Sequence, residues 1–272
     1  SVRRTQYSGK MGGNCVEREK EDRLIGQLRE QANDLLAAVH LLTPLVRSQG
    51  AEKDTQCLAA MNQSLYRLIR CVNHMELCRE SQPLFHPALL DLAGLCRDMG
   101  RQLELLEDAL QVHFWWELEK ESIITLADDA LLEQAIWNLI SNAVEAAGPG
   151  GHVTLRCVTD GERCRIMVSD DGPGLKGPAP VQDPFLKTPG GVGLGLEAAR
   201  RAASLHGGAL VLENREEGGL RAVLSLPIRK DDGSGGVRTP RMGYDRTGGF
   251  SPMLVELSPL LPMSYFRWEE TE

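Results

Sequence analysis

Asn138-Leu139-Ile140-Ser141-Asn142-Ala143-Val144-Glu145-Ala146 is the stretch that decides how this chain reads. Four residues separate Asn138 from Asn142, so a helix carries both carboxamides on one face, one turn apart. An amide oxygen is a fit ligand for a hydrated Mg²⁺ that also takes phosphate oxygens. Taken alone, the pair reads equally well as a capping or core-edge amide pair. Downstream, Asp170-Asp171-Gly172-Pro173-Gly174 directly follows a β-like run. A carboxylate at a strand end can accept a hydrogen bond from an exocyclic amine, and the two glycines let backbone pass close to a flat base. By itself Asp-x-Gly-x-Gly is often only a turn. Gly191-Val192-Gly193-Leu194-Gly195-Leu196 then leads into a helix and offers backbone N–H groups and a helix N-terminus to phosphates. No βαβ unit surrounds it and no strand immediately precedes it, which excludes the dinucleotide fingerprint.

Eleven of the 28 glycines lie between Gly148 and Gly195, too dense for a packed core, so backbone there must bend sharply or approach a ligand closely. Around these motifs the patterning predicts an amphipathic helix over 88–107, an aromatic-rich strand over 109–118 and a short strand over 122–126. Asp128 caps a helix that runs to about Ala147. Two β-like runs, 152–158 and 163–169, flank the hairpin signal Asp160-Gly161. A Gly/Pro-rich loop over 171–191, a helix over 194–206 and a hairpin of 209–213 with 220–228 follow. Helices with mostly antiparallel strands predict an α+β fold, a two-layer sandwich over 84–229.

Upstream the period changes. Leu28, Ala32, Leu35, Val39, Leu42 and Val46 recur at alternating spacings of 4 and 3, and Leu58, Met61, Leu65, Leu68, Val72 and Met75 do the same. The two seams, separated by Ser48-Gln49-Gly50, predict an antiparallel helical hairpin over 22–82. One apolar seam per helix buries too little surface, so a second copy completing a four-helix bundle is expected. Residues 1–21 read as a flexible lead, 231–236 as a flexible linker, and 230–272 as a linker and tail. The tail carries enough apolar residues, from Met253 through Leu257 to Trp268, for part of it to dock.

Composition narrows the partners. Lys+Arg 30 against Asp+Glu 38 leaves a net charge of -8, which argues against nucleic-acid and anionic-membrane surfaces. Seven cysteines without a CxxC pair read as reduced, mostly buried thiols. No signal-peptide pattern and no membrane-spanning run stand out, so a cytoplasmic location is expected.

In order and spacing the three motifs resemble the N box and the two glycine boxes of the ATP-binding fold shared by sensor histidine kinases, Hsp90-type chaperones, MutL-type repair proteins and DNA gyrase. Asp183-Pro184-Phe185-Leu186-Lys187-Thr188 looks like the F box of histidine kinases. Leu205-His206-Gly207-Gly208 and Leu224-Ser225-Leu226-Pro227 match the end of that kinase domain. The chaperone and MutL readings lose because the glutamate base they use is Asn138 here. Anti-sigma serine kinases lack a long helical hairpin. The resemblance implies ATP and Mg²⁺ as cofactors, with Asn142 as the Mg²⁺ ligand and Asn138 lining the same pocket. It assigns Asp170 to the adenine amino group and Gly172 and Gly174 to the adenine end. Gly191, Gly193 and Gly195 would hinge a lid over the phosphates, and Lys187 could meet phosphate. Leu220 departs from the Thr or Ser that the family often places near the base.

Kinases of this family place a dimerising hairpin before the ATP domain, and 22–82 resembles it. The implied activity is autophosphorylation of a hairpin histidine in a homodimer, then transfer to the receiver domain of a response regulator. The acceptor stretch here is His40-Leu41-Leu42-Thr43-Pro44-Leu45. Matching the proline would put Val39 at the acceptor position. Matching His40 puts Leu42 and Val46 on the seam and leaves Pro44 one residue early; the seam register favours His40. Leu41 stands where the family has an acid, so a nucleotide-binding scaffold without histidine phosphorylation is the rival reading. His74 is a second acceptor candidate without the Thr-Pro context.

Overall fold

A computed structural model describes Ile25, Leu28, Arg29, Gln31, Ala32, Leu35 and Val39, and residues 52–79, 85–175, 194–229, 237–238 and 250–267. The readings for the lead 1–21, His40 and the 41–45 stretch, the F-box-like 183–188 with Lys187, Gly191, Gly193 and the 231–236 linker lie outside those residues.

Alternation of period two builds the sheet. Strands β2 (His113–Leu118), β4 (His152–Asp160), β5 (Arg163–Asp170), β6 (Ala209–Asn214) and β7 (Leu220–Pro227) lie in the order β2-β4-β5-β7-β6. All neighbours are antiparallel except β2, which runs parallel to β4. Val153, Leu155 and Cys157 on β4, Cys164, Ile166 and Val168 on β5, and Ala222, Leu224 and Leu226 on β7 point to one buried face. Helices α2 (Leu92–Glu104), α4 (Asp129–Ala147) and α5 (Leu194–Leu205) pack against the sheet as the second layer. A smaller sheet joins β1 (Ala88–Asp91) antiparallel to β3 (Ile124–Ala127) and parallel to β8 (Val237–Arg238). The expected α+β, two-layer ATPase-type sandwich is present.

The starts of two elements lie farthest from the expected ones. The 88–107 helix begins only at Leu92, because residues 88–91 pair with β3 and Asp91 closes the strand. Its carboxylate accepts from the Ala93 amide at 3.1 Å and from the Ile123 amide at 2.9 Å, capping α2 and tying it to the approach to β3. The 109–118 strand begins only at His113. Its start is used by the short helix α3 (Glu107–Leu110), which Gln111 ends in the left-handed region at φ 54°.

Helix α4 is the centre of the layer. Asp128 caps it through the Leu131 amide at 3.2 Å. Every residue from Ala135 through Ser141, a run that points in all directions around the helix, is buried. A helix buried all round over these turns needs packing partners on every side. The sheet covers one side, and α5 and a C-terminal helix, α6 (Pro252–Leu257), cover others.

Helix α1 (Glu52–Arg79) carries two stripes. The expected seam divides: Leu58 and Val72 are buried within the chain, while Met61 and Leu68 are exposed. The described first-helix positions behave alike, with Ala32 and Val39 buried and Leu28 and Leu35 exposed. Leu35, Val39, Cys57, Ala60, Met61, Ser64 and Leu65 line an apolar groove of about 420 Å³. The other stripe of α1, through Ala59, Asn62, Tyr66 and Ile69, is buried under the tail. Phe250 and Phe266 pack on Tyr66 with centroids 5.7 and 5.2 Å away. The Gln63 amide donates to the Ser258 and Leu261 carbonyls at 3.0 and 2.8 Å, and the Asn62 amide to the Phe266 carbonyl at 3.0 Å. The tail therefore docks, as expected, and its place is across α1 and α4.

His206 joins α5 to the cap of α4. The Asp128 amide donates to His206 Nε2 at 2.9 Å, so the ring proton sits on Nδ1, 2.7 Å from the Ala202 carbonyl. Burial pushes the imidazole below its ordinary value of 6.5. A group that resists protonation when folded contributes full stability above 6.5 and loses it progressively as pH falls from there through its lower folded value. Thermal melts should therefore show a drop in Tm between pH 7.5 and 5.5 that is smaller in His206→Gln; equal drops in both proteins would refute this role.

Candidate functional site

Positions 138, 142 and 146 stack on one face of α4, one turn apart, and a different element meets the helix at the first and at the third. At the first, Gly195 lies so close that a Cβ there would stand 2.4 Å from Asn138 Nδ2. At the third, a Cβ on Gly172 would stand 2.4 Å from the Ala146 carbonyl. One glycine of each box, Gly195 and Gly172, is thus required by contact with α4 itself. Between them, Asn142 is half-buried.

The hydrogen bonds orient the amides. Asn138, 1% exposed, accepts from Asn142 Nδ2 through Oδ1 at 3.2 Å. Asn142 Oδ1 has no hydrogen-bond partner among the described residues. Asn138 is therefore committed to the protein, and Asn142 is the one of the pair with an oxygen to offer.

At the sheet edge the two adjacent acids part company. Asp171 is turned outward and accepts from the His152 backbone at 2.9 Å and its ring Nδ1 at 2.9 Å. Asp170 is buried, and its Oδ1 accepts from the Gly172 amide at 2.9 Å and the Leu220 amide at 3.2 Å. Oδ2 has no hydrogen-bond partner among the described residues. Burial raises the Asp170 pKa above the ordinary carboxylate value, with the two backbone amides opposing. Because Leu220 contributes its backbone, the missing Thr or Ser side chain leaves this contact intact. Arg215 and Asn214 were not legible as site residues. Arg215 Nη1 donates to the Asp170 carbonyl at 2.7 Å, and Asn214 exchanges bonds of 2.8 and 3.0 Å with the Leu175 backbone. Gly174, at φ +67°, lies against that Asn214 oxygen.

A free amide oxygen on Asn142 and a free carboxylate oxygen on Asp170, separated by the close-packed Gly172 turn, fit Mg²⁺ and an exocyclic base amine respectively. His74 is enclosed rather than presented: it is 5% exposed, and its Nε2 lies 2.8 Å from Glu256. Glu256, fully buried on α6, also receives Arg70 Nε at 2.9 Å and Asn138 Nδ2 at 3.3 Å. Burial opposes its ionisation, but the charges of His74 and Arg70 outweigh burial and hold its pKa below the ordinary value. No described helix is long and apolar enough to cross a membrane.

Residues 127–230 match the family described as Histidine kinase-, DNA gyrase B-, and HSP90-like ATPase. The adaptive-response sensory kinase SasA of Parasynechococcus marenigrum is 25% identical over 240 residues, covering 80% of this chain and 62% of that protein. The sensor protein KdpD of Escherichia coli is 28% identical over 233 residues, covering 77% of this chain and 26% of its own length. The crystal structure of full-length ShkA in complex with AMPPNP shares the fold, with a TM-score of 0.59, 22% identity, and coverage of 78% of this chain and 46% of that one. The chain thus spans less than two thirds of these relatives. The matched segment is thus similar to the ATPase domain of that family.

Gly195→Ala would drive a methyl into the held Asn138 side chain. We expect a loss of roughly 1–3 kcal/mol, read as a lowered midpoint in denaturant unfolding, because a well-packed site resists added volume. An unchanged midpoint would show that α5 can shift away from α4.

Proposed function

We propose that this histidine-kinase ATPase core binds ATP with Mg²⁺ and phosphorylates His40 of the helical hairpin in a homodimer, from which the receiver domain of a response regulator takes the phosphoryl group. The observation that carries the reading is a pair of oxygens without a hydrogen-bond partner among the described residues, Asn142 Oδ1 and Asp170 Oδ2, in a neighbourhood where Asn138, Asp171 and Asn214 are all engaged. Asn142 would hold Mg²⁺, which when bound screens phosphate charge. Asp170 would accept from the adenine amino group. Lys187, Gly191 and Gly193 belong to the proposed lid, as does Gly195 at its helical end. An imidazole nitrogen of His40 would form the new P–N bond, ADP would leave, and the ring proton would pass to solvent, since Leu41 offers no carboxylate. The sensory-kinase relatives and the AMPPNP complex support this reading.

Dimerisation draws support from Leu28, Leu35, Met61 and Leu68, which the seam pattern groups and the single chain leaves 44, 55, 52 and 41% exposed. Val72, by contrast, is fully buried within the chain, so charge placed there would test folding. Leu68→Asp is the better probe. Sedimentation at micromolar concentration should find a wild-type dimer and a monomeric variant; a monomeric wild type would remove the bundle.

Leu41 in place of the acid favours a second reading, a nucleotide-binding scaffold. Incubation with γ-labelled ATP separates the two: acid-labile label that disappears in His40→Gln supports the kinase, and no label with ATP bound supports the scaffold. In either case Asp170→Asn should weaken ATP by about tenfold or more while sparing GTP, since a charge-assisted hydrogen bond is worth roughly 1.5–3 kcal/mol. Unchanged ATP affinity by calorimetry would remove the base-reading role.

A further inference from the structure

Glu256 lies beyond the last strand of the sheet, outside every motif of the ATPase core, yet it reaches the centre of the site. A carboxylate can only accept hydrogen bonds, whereas a carboxamide has one accepting end and one donating end. Glu256 Oε2 therefore draws the donating end of Asn138, with Nδ2 at 3.3 Å. That leaves Asn138 Oδ1 facing the next turn of α4, where it draws the donating end of Asn142 at 3.2 Å. Asn142 must then present its oxygen away from the relay, toward the position proposed for the cation. Were Asn138 reversed, its Nδ2 would face Asn142 and pull the Asn142 oxygen inward.

The carboxylate is itself fixed. Arg70 Nε meets Oε2 at 2.9 Å, and His74 Nε2 lies 2.8 and 3.0 Å from the two oxygens. Neighbouring Val255, Leu257 and Ser258 are buried with it. Gly195 closes the remaining side of Asn138.

We propose that Glu256 is a positioning residue for the nucleotide site: acting through Asn138, the C-terminal segment sets the orientation of Asn142 and so its affinity for Mg²⁺. The proposal rests on the reading of Asn142 as the cation ligand. Calorimetry of ATP binding to the full chain, with Mg²⁺ and with chelator, tests it. In Glu256→Gln the Mg²⁺-dependent gain in affinity should fall by about tenfold or more, the usual effect of losing an outer partner of a metal ligand, with metal-free ATP binding changed by less than about twofold. Glu256→Asp keeps the charge that Arg70 and His74 require while withdrawing the acceptor by one methylene, so it covers the case in which Glu256→Gln does not fold; its gain should also fall, by a smaller factor. Leu257→Ala loosens tail packing without touching the carboxylate and should leave the gain close to wild type. A gain that is unchanged or increased in the Glu256 variants, or equally reduced in Leu257→Ala, overturns the proposal while leaving the Asn142 reading in place. A wild type with no Mg²⁺-dependent gain removes both.

Discussion

The enclosure of α4 is the constraint on which the rest depends. A helix buried on every side through its middle turns has little free surface to spare, so elements that meet it must fit without added volume. At Asn138 and Ala146 that fit takes glycine, and between them one half-buried turn is left. The four-residue spacing of Asn138, Asn142 and Ala146 is therefore the spacing at which two chain segments can be seated beside a polar gap. Shifting either glycine box by one residue would set a side chain against α4, which is why the motifs constrain one another although they lie far apart in sequence.

Charge placement constrains the tail as strongly. An ionised carboxylate with no exposure is tolerable only when paired and hydrogen-bonded, and removing a partner from such a group typically costs about 3–5 kcal/mol. Glu256 meets this condition with Arg70 and His74 from α1 and Asn138 from α4. Glu256 is the only acid among the described residues 250–267, so no small shift of that segment would bring another of its side chains to all three as a carboxylate. The apolar contacts of Phe250 and Phe266 with Tyr66 supply attraction, but aromatic packing is adaptable; the ion pairs and the bonds from Asn62 and Gln63 to tail carbonyls fix where the segment stops.

Much of this was legible in the sequence, because local rules and the global fold agree over β4 to β7. The Asp128 cap, the hairpin turn after Asp160 and the period-two strands each specify their element independently. The starts of α2 and β2 were not legible: Ala88-Leu89-Leu90 suits a helix as well as a strand, and pairing with β3, a tertiary effect, decides it. Asn142 and Asp170 could be singled out because their spacing to glycines carries the pattern. Glu256 could not. It is one acid in an acidic chain, and its partners lie 182 and 186 residues away in sequence. The one local hint was Asn62-Gln63 on the apolar side of α1, amides with no partner near them in the chain.

Helix α1 shows how one element can carry two unlike surfaces. Turned toward the tail and α5, it presents Asn62, Gln63, Arg67, Arg70 and His74 among apolar residues, and all five end on a backbone carbonyl or on Glu256 with little freedom of register. Turned away, it presents Met61 and Leu68 beside an apolar groove, where greasy contact alone leaves register loosely defined. Polar contacts thus lie where the chain must hold one geometry with itself. Nondirectional ones lie on the side that a second hairpin would cover. A charge introduced on the outer stripe need not disturb the inner one, because about half a helical turn separates them. Assembly and site geometry can therefore be varied separately in this chain, although both are written on the same 28-residue helix.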